Sequence, residues 1–128
     1  MFNAPVYIGD GIPLVPDFFD MQDPYELTEE LELETARREL QNYINSERKI
    51  HGLNSLALND NLNSLAQKHA EDMKKRDFFS HINPDGETPE DRRKKIGITT
   101  AVGENLVYAP TLYFAHAALM RSALHRNN

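Results

Sequence analysis

Residues 77–98 read DFFSHINPDGETPEDRRKKIGI, and the reading of this stretch decides the fold. Asn83-Pro84-Asp85-Gly86 has turn chemistry at every position: an Asn that can bond its own backbone, a Pro with fixed φ, and a Gly for the left-handed exit. Thr88-Pro89 then reads as an N-cap followed by the first residue of a helix, with Asp91 at the third position. That short helix stops at Gly97. Upstream, the apolar pair Phe78-Phe79 precedes Ser80-His81, so a histidine stands between an apolar anchor and a tight turn.

Working outward, Asn59 or Asp60 caps a preceding helix that ends near Arg76. Its apolar stripe is Leu62, Leu65, Ala66, His69, Ala70 and Met73, a helical period. Further upstream, Ala36, Leu40, Tyr43, Ile44 and Glu47 share one helix face, which predicts a helix from about Glu26 or Thr28 to Ile50. Gly52 supplies its C-terminal stop. Downstream, β-branched and aromatic residues predict one strand at Asn105–Tyr108. Pro110 and Thr111 then open a last helix, TLYFAHAALMRSALHR. Residues 1–24 form a separate zone, punctuated by Pro5, Pro13, Pro16 and Pro24. VYI and IPLV flank Gly9-Asp10-Gly11, so this zone reads as an extended arm or weak hairpin. Phe18, Phe19 and Tyr25 would pack it on something. The domain reading is an arm over 1–24 and a single domain over 25–128.

The composition suits a soluble globular domain with a modest core: 40% apolar and 27% charged residues in a chain of 128. With no cysteine, disulfides, thiolate metal ligands and a cysteine nucleophile are excluded. No apolar run is long enough to span a bilayer. The opening MFNAPVYIGDGIP lacks the basic region and apolar stretch of a signal peptide, which suggests a cytosolic protein or a chain without its signal. The net charge of −6 is uneven: residues 1–40 carry ten acidic and two basic side chains, the rest ten acidic and twelve basic. The basic runs Lys74-Lys75-Arg76 and Arg92-Arg93-Lys94-Lys95 each end a predicted helix, where the dipole favours cations. They read as solvated faces and not as a nucleic-acid surface.

Three polar residues are hard to explain by packing: His81 before the turn, Glu104 at the entry to the predicted strand, and His125 at the end of the last helix. Two imidazoles and a carboxylate can hold a divalent cation with open positions, or the carboxylate can orient an imidazole through its second nitrogen. Taken separately, His81 caps a turn, Glu104 bonds backbone amides, and His125 is solvated. Spacing does not choose between these readings, since 44 residues separate the two histidines. His69 reads as a satisfied core histidine, His116 as a packing or partner-contact residue, and His51 as a dipole-favoured cation. Glu47 and Arg48 suggest a structural ion pair. Ser80 beside His81 invites a nucleophile–base reading, but sequence neighbours seldom present side chains to each other, and no oxyanion-hole motif such as GxSxG is present.

Residues 38–128 resemble the bacterial type of the CAP superfamily, which groups cysteine-rich secretory proteins, antigen 5 and plant pathogenesis-related 1 proteins. The resemblance rests on several motifs in order: INSER in the opening helix, LNSLAQKHAEDM, FFSHINPDGETPEDR, GEN, and a helix leading to HRNN. It implies an α+β fold, an α-β-α sandwich, and a cleft containing His81, Glu104 and His125. In some members the histidine pair binds zinc or a related divalent cation, which would make His81 and His125 the metal ligands here. The family's second acid has no clear counterpart and would fall near Ser122. Three departures stand out. Leu124 and Ala123 replace the usual glycine and proline before the second histidine. Leu119 stands where tryptophan is common. The chain also stops before two strands that supply most of the family's sheet, so a C-terminally truncated, helix-dominated version is expected.

A lone strand cannot satisfy its own backbone groups. Three routes would cover it: continuation in a longer chain, a strand donated by Val6–Ile8 or Ile12–Val15, or a homodimer through the exposed sheet edge. The resemblance implies an extracellular or cell-surface module. The leading expectation is non-enzymatic binding of a small ligand, divalent metal or cell-surface partner at the cleft. The alternative is a metal-assisted hydrolase, a protease or cell-wall enzyme, with Glu104 as general base. A third reading is a structural scaffold with a degenerate cleft.

Overall fold

The structure, a computed structural model, describes residues 7–8, 12–13 and 29–128. Two short strands come first, β1 (Tyr7–Ile8) and β2 (Ile12–Pro13), antiparallel, with Tyr7 opposite Pro13 and Ile8 opposite Ile12. Five helices follow: α1 (Glu29–Ile50), α2 (Asp60–Arg76), α3 (Pro89–Lys95), α4 (Leu112–Arg121) and α5 (Ala123–Arg126). The packing expected of Phe18, Phe19 and Tyr25, and a helix start at Glu26 or Thr28, lie outside the described residues.

The chain divides into two compact units. The first holds α1, the connection to residue 57, and residues 107–127 with α4 and α5. Here α1 packs against α4. Ala109 and Ala115 are buried, with Val107 and Ala118 against them. Tyr43 of α1 stacks on His116 of α4, with ring centroids 5.3 Å apart and planes 17° from parallel. His116 is therefore a packing residue, and its Nε2 lies 3.9 Å from Glu47. Instead of pairing with Glu47, Arg48 donates from Nε to the Asn54 carbonyl at 2.6 Å. Asn45 grips Leu56 at both ends of its peptide group: Nδ2 donates to the carbonyl at 2.9 Å and Oδ1 accepts from the amide at 2.8 Å. The INSER run thus clamps the irregular connection that leaves α1.

The second unit spans 58–106 with Asn128 and contains α2 and α3. Asn59 caps α2 by accepting from Leu62 N, and Thr88 with Asp91 forms a full capping box on α3. Both caps match the residue types in the sequence. Three helices stop in one way. A residue with positive φ follows (Gly52, Asp77, Gly97), and the next amide bonds five residues back: Leu53 to Arg48, Phe78 to Met73, Ile98 to Arg93. Each stop places an apolar residue just past the helix. Asp77 is the exception in type, since φ of 53° strains a side chain that glycine would lack.

Several expectations are corrected. Asn105–Tyr108 forms no strand, and residues 98–111 are irregular. Among residues 29–128 every regular element is a helix, so the α+β expectation reduces here to a helical domain. Extended residues become a strand only against a partner ladder, and the described residues offer none there. The homodimer through an exposed sheet edge therefore loses its premise, and so does strand donation to that edge. The last helix is not continuous. It breaks at Ser122, whose ψ of 117° is extended, and resumes as one short turn. The run Arg92-Arg93-Lys94-Lys95 is not a uniform solvated face, because Arg92 and Arg93 are buried at 9% and 7% exposure. No helix among the described residues is long and apolar enough to cross a membrane.

Candidate functional site

The turn at residues 83–86 is built around Asn83, which is buried. Its Oδ1 accepts from the amides of Asp85 and Glu87 at 3.1 and 2.9 Å. Its own amide donates to the Glu87 carbonyl, and its carbonyl accepts from Gly86 N at 2.9 Å. This closed loop fixes where His81 leaves the chain and where α3 begins.

From α3, Arg92 reaches back across the loop. Its Nη1 donates to the carbonyls of His81 and Glu87, at 2.9 and 3.0 Å. Its Nη2 donates to Glu104 Oε2 at 2.7 Å. The other carboxylate oxygen, Oε1, accepts from His81 Nδ1 at 2.8 Å. A carboxylate oxygen only accepts, so His81 carries its proton on Nδ1 and leaves Nε2 as the ligating or accepting nitrogen of the neutral ring. The ring is half exposed, while Glu104 is mostly covered. The arrangement is a carboxylate–histidine pair backed by a buried guanidinium.

His69 stands behind this pair. It is buried at 2% exposure, donates from Nε2 to the Ser80 carbonyl at 2.9 Å, and lies 3.9 Å from Glu104 Oε1. Phe78 meets its ring edge-on at 5.8 Å. Ser80 Oγ accepts from Ile82 N at 3.1 Å, so the hydroxyl serves the turn. On the outer side, Arg76 donates to both Asp72 and Asp85. Its guanidinium holds the Asp72 carboxyl below the usual carboxylate range, and the two carboxylates raise the Arg76 value further. On α3, the hydrogen bond from Arg93 lowers Glu90, and those from Thr88 lower Asp91.

Of the three residues expected to share a cleft, His81 and Glu104 come together here. His125 belongs to the other unit, where its Nδ1 pairs with Ser122 Oγ at 2.7 Å. Arg92 was not expected in the site, and His69, read first as a satisfied core histidine, stands beside the pair. The signal for Arg92 was the repeated basic residue one turn after the Thr88 cap. The signal for His69 was a histidine within an otherwise apolar stripe. Among the described residues no three His, Cys, Asp or Glu side chains gather closely enough to hold a metal ion. Within this unit the pair offers a metal His81 Nε2 as its one imidazole ligand atom, with each Glu104 oxygen already accepting one hydrogen bond.

A family model described as the cysteine-rich secretory protein family, CAP, matches residues 41–128, and the chain belongs to that family. It does so without a single cysteine. The chain is also similar to the uncharacterized protein YkwD of Bacillus subtilis (strain 168), 34% identical over 86 residues. That match covers 66% of this chain and 34% of the relative, so the chain spans about a third of the relative's length. No solved structure matches the chain.

Proposed function

We propose that this chain is a binding module of the CAP family, extracellular or cell-surface, which takes its ligand at the His81–Glu104 pair. The observation that carries the reading is the 2.8 Å bond from His81 Nδ1 to Glu104 Oε1. It fixes the tautomer and turns a half-exposed imidazole into an oriented acceptor, as outer-shell carboxylates do for ligating histidines. Family membership alone supports the location and the α-β-α sandwich as the frame for this site. Binding is placed ahead of hydrolysis because Glu104 is mostly covered and bonded to His81 and Arg92, which suits it to orienting the imidazole more than to meeting a substrate. A general base needs an oxygen within reach of the proton it removes.

Zinc chloride is the probe for the test, titrated into the full chain by calorimetry. Saturable binding that His81→Ala abolishes and Glu104→Gln weakens about tenfold or more would support the pair as the binding element. His125→Ala reads whether the histidine of the other unit takes part. Metal-dependent turnover of peptide or ester substrates, lost in Glu104→Gln, would replace this reading with the hydrolase. No response to zinc, nickel or cadmium would leave a scaffold with a degenerate cleft.

A further inference from the structure

Glu104 is held in place without help from regular structure, since it stands in the irregular stretch 98–111. Yet its carboxylate meets two partners at once, Arg92 Nη2 at 2.7 Å and His81 Nδ1 at 2.8 Å. Bonds of this kind lose strength once donor and acceptor drift beyond about 3.2 Å. The backbone around Glu104 therefore needs ties of its own.

Asn128 supplies ties on both sides. It belongs to the same compact unit as Glu104, although it lies 23 residues beyond Asn105 in the chain. Its Nδ2 donates to Asn105 Oδ1 at 2.9 Å. Its carboxamide also occupies the space where a side chain at 103 would stand. A β-carbon added to Gly103 would lie 2.7 Å from Asn128 Cγ and 2.8 Å from Nδ2, and closer still to Oδ1. Carbon atoms not bonded to each other keep about 3.5–4.0 Å apart. The φ of Gly103 is not among the positive values found at Gly52, Gly86 and Gly97, so what glycine provides here is room.

We infer that Asn128 is a positioning residue of the ligand site. Its carboxamide brackets Glu104, filling the space left by Gly103 on one side and donating to Asn105 on the other, and so keeps the carboxylate between Arg92 and His81. This rests on the reading of the His81–Glu104 pair as the binding element. Outer-shell partners tune a ligating histidine by fixing its tautomer and ring orientation. Asn128 acts one step further out, through the two neighbours of the carboxylate that does so.

The full chain, labelled with nitrogen-15, is compared with Asn128→Ala, Gly103→Ala and the double variant. Gly103 and Asn128 are both exposed, so these changes leave the buried residues alone. Long-range imidazole spectra, recorded before any ligand is added, report the His81 ring. In the wild type they show its proton on Nδ1. Asn128→Ala loosens the carboxylate, and the ring moves toward a mixture of tautomers, with its two nitrogen frequencies drawing together. Gly103→Ala does the same, because the new methyl takes the place of the carboxamide. The double variant is no worse than Asn128→Ala, since the methyl then has room. His69, tied to the Ser80 carbonyl, keeps its own pattern throughout.

Calorimetry with zinc chloride then reads the consequence for binding, expected to be about two- to tenfold weaker in each single variant, the worth of one hydrogen bond. A wild type that binds no zinc counts against the reading of the pair as a metal-type site, while the His81 spectra still decide the role of Asn128. An unchanged His81 tautomer in Asn128→Ala overturns the inference. So does unchanged zinc affinity in both single variants of a chain that binds zinc. A double variant clearly worse than either single one overturns it as well, because Gly103 and Asn128 would then act separately. Loss of the His69 pattern together with that of His81 would mean that the change acts on the fold of the whole unit, and that too overturns it.

Discussion

In the unit spanning 58–106 the buried residues are Leu65, His69, Asn83, Arg92 and Arg93; among the described residues of the other unit they are Ala109 and Ala115. One interior is mostly polar and held by directed bonds. The other is made of small apolar side chains between α1 and α4, with an aromatic stack beside them. A polar interior can place particular atoms, and this is where the carboxylate–histidine pair is built. It also depends on each partner being present and correctly charged. An alanine interior sets only how closely helices approach, and it is indifferent to protonation.

The largest expected break in that contrast comes from Arg92→Met. The change removes the donor to two carbonyls and leaves a mostly covered Glu104 carboxylate without its cation. Removing one partner of a buried ion pair costs about 3–5 kcal/mol. Urea denaturation followed by residue-resolved NMR should show 58–106 melting early. Synchronous loss of both units at the wild-type midpoint would refute the contrast.

A pH titration should separate the units from opposite ends. Asp72, Glu90 and Asp91 all lie in 58–106, and each is lowered by hydrogen bonds from Arg76, Arg93 and Thr88 respectively. Their stabilisation is complete above the unfolded carboxyl range, about pH 4, and is lost as pH falls through the lower folded values. Tyr43, in the other unit, is raised by its hydrogen bond to Glu39. Its contribution is complete below about pH 10 and is lost as pH rises through the folded value. Amide spectra should therefore show acid loosening 58–106 first and alkali acting on α1 and α4 first. The reverse order would count against both assignments.

The smallest effect sharpens the comparison within α2. Asp77→Gly relieves the left-handed strain at the helix stop and should stabilise by about 0.5–1 kcal/mol, read as a small rise in melting temperature. Destabilisation would mean that the Asp77 side chain contributes something its backbone position does not reveal.

The helices were legible because their signals are local. Asn59, Thr88, Pro89, Gly52 and Gly97 mark ends by their own backbone chemistry, and the stripe from Leu62 to Met73 marks a face. His81 with Glu104 was legible through family resemblance, not through spacing. The rest depended on distant partners. Nothing in a run of four basic residues tells that carbonyls at 81, 87 and 98 will draw Arg92 and Arg93 inward. The break at Ser122 is hidden for a similar reason, since alanine and leucine beside it favour continuing the helix. The strand at Asn105–Tyr108 failed because β propensity describes fit to a neighbouring ladder, and propensity alone does not supply the neighbour.

The clamp of Asn45 on Leu56 has a consequence for the timing of local opening. Residues 53–57 have no regular secondary structure, yet the Leu56 amide is bonded to a side chain rooted in the C-terminal third of α1. Its proton is released to solvent only when the Asn45 turn of α1 opens or the clamp lets go. A loop amide thereby exchanges on the clock of a helix, and its deuterium uptake measures from outside how often the C-terminal third of α1 unwinds.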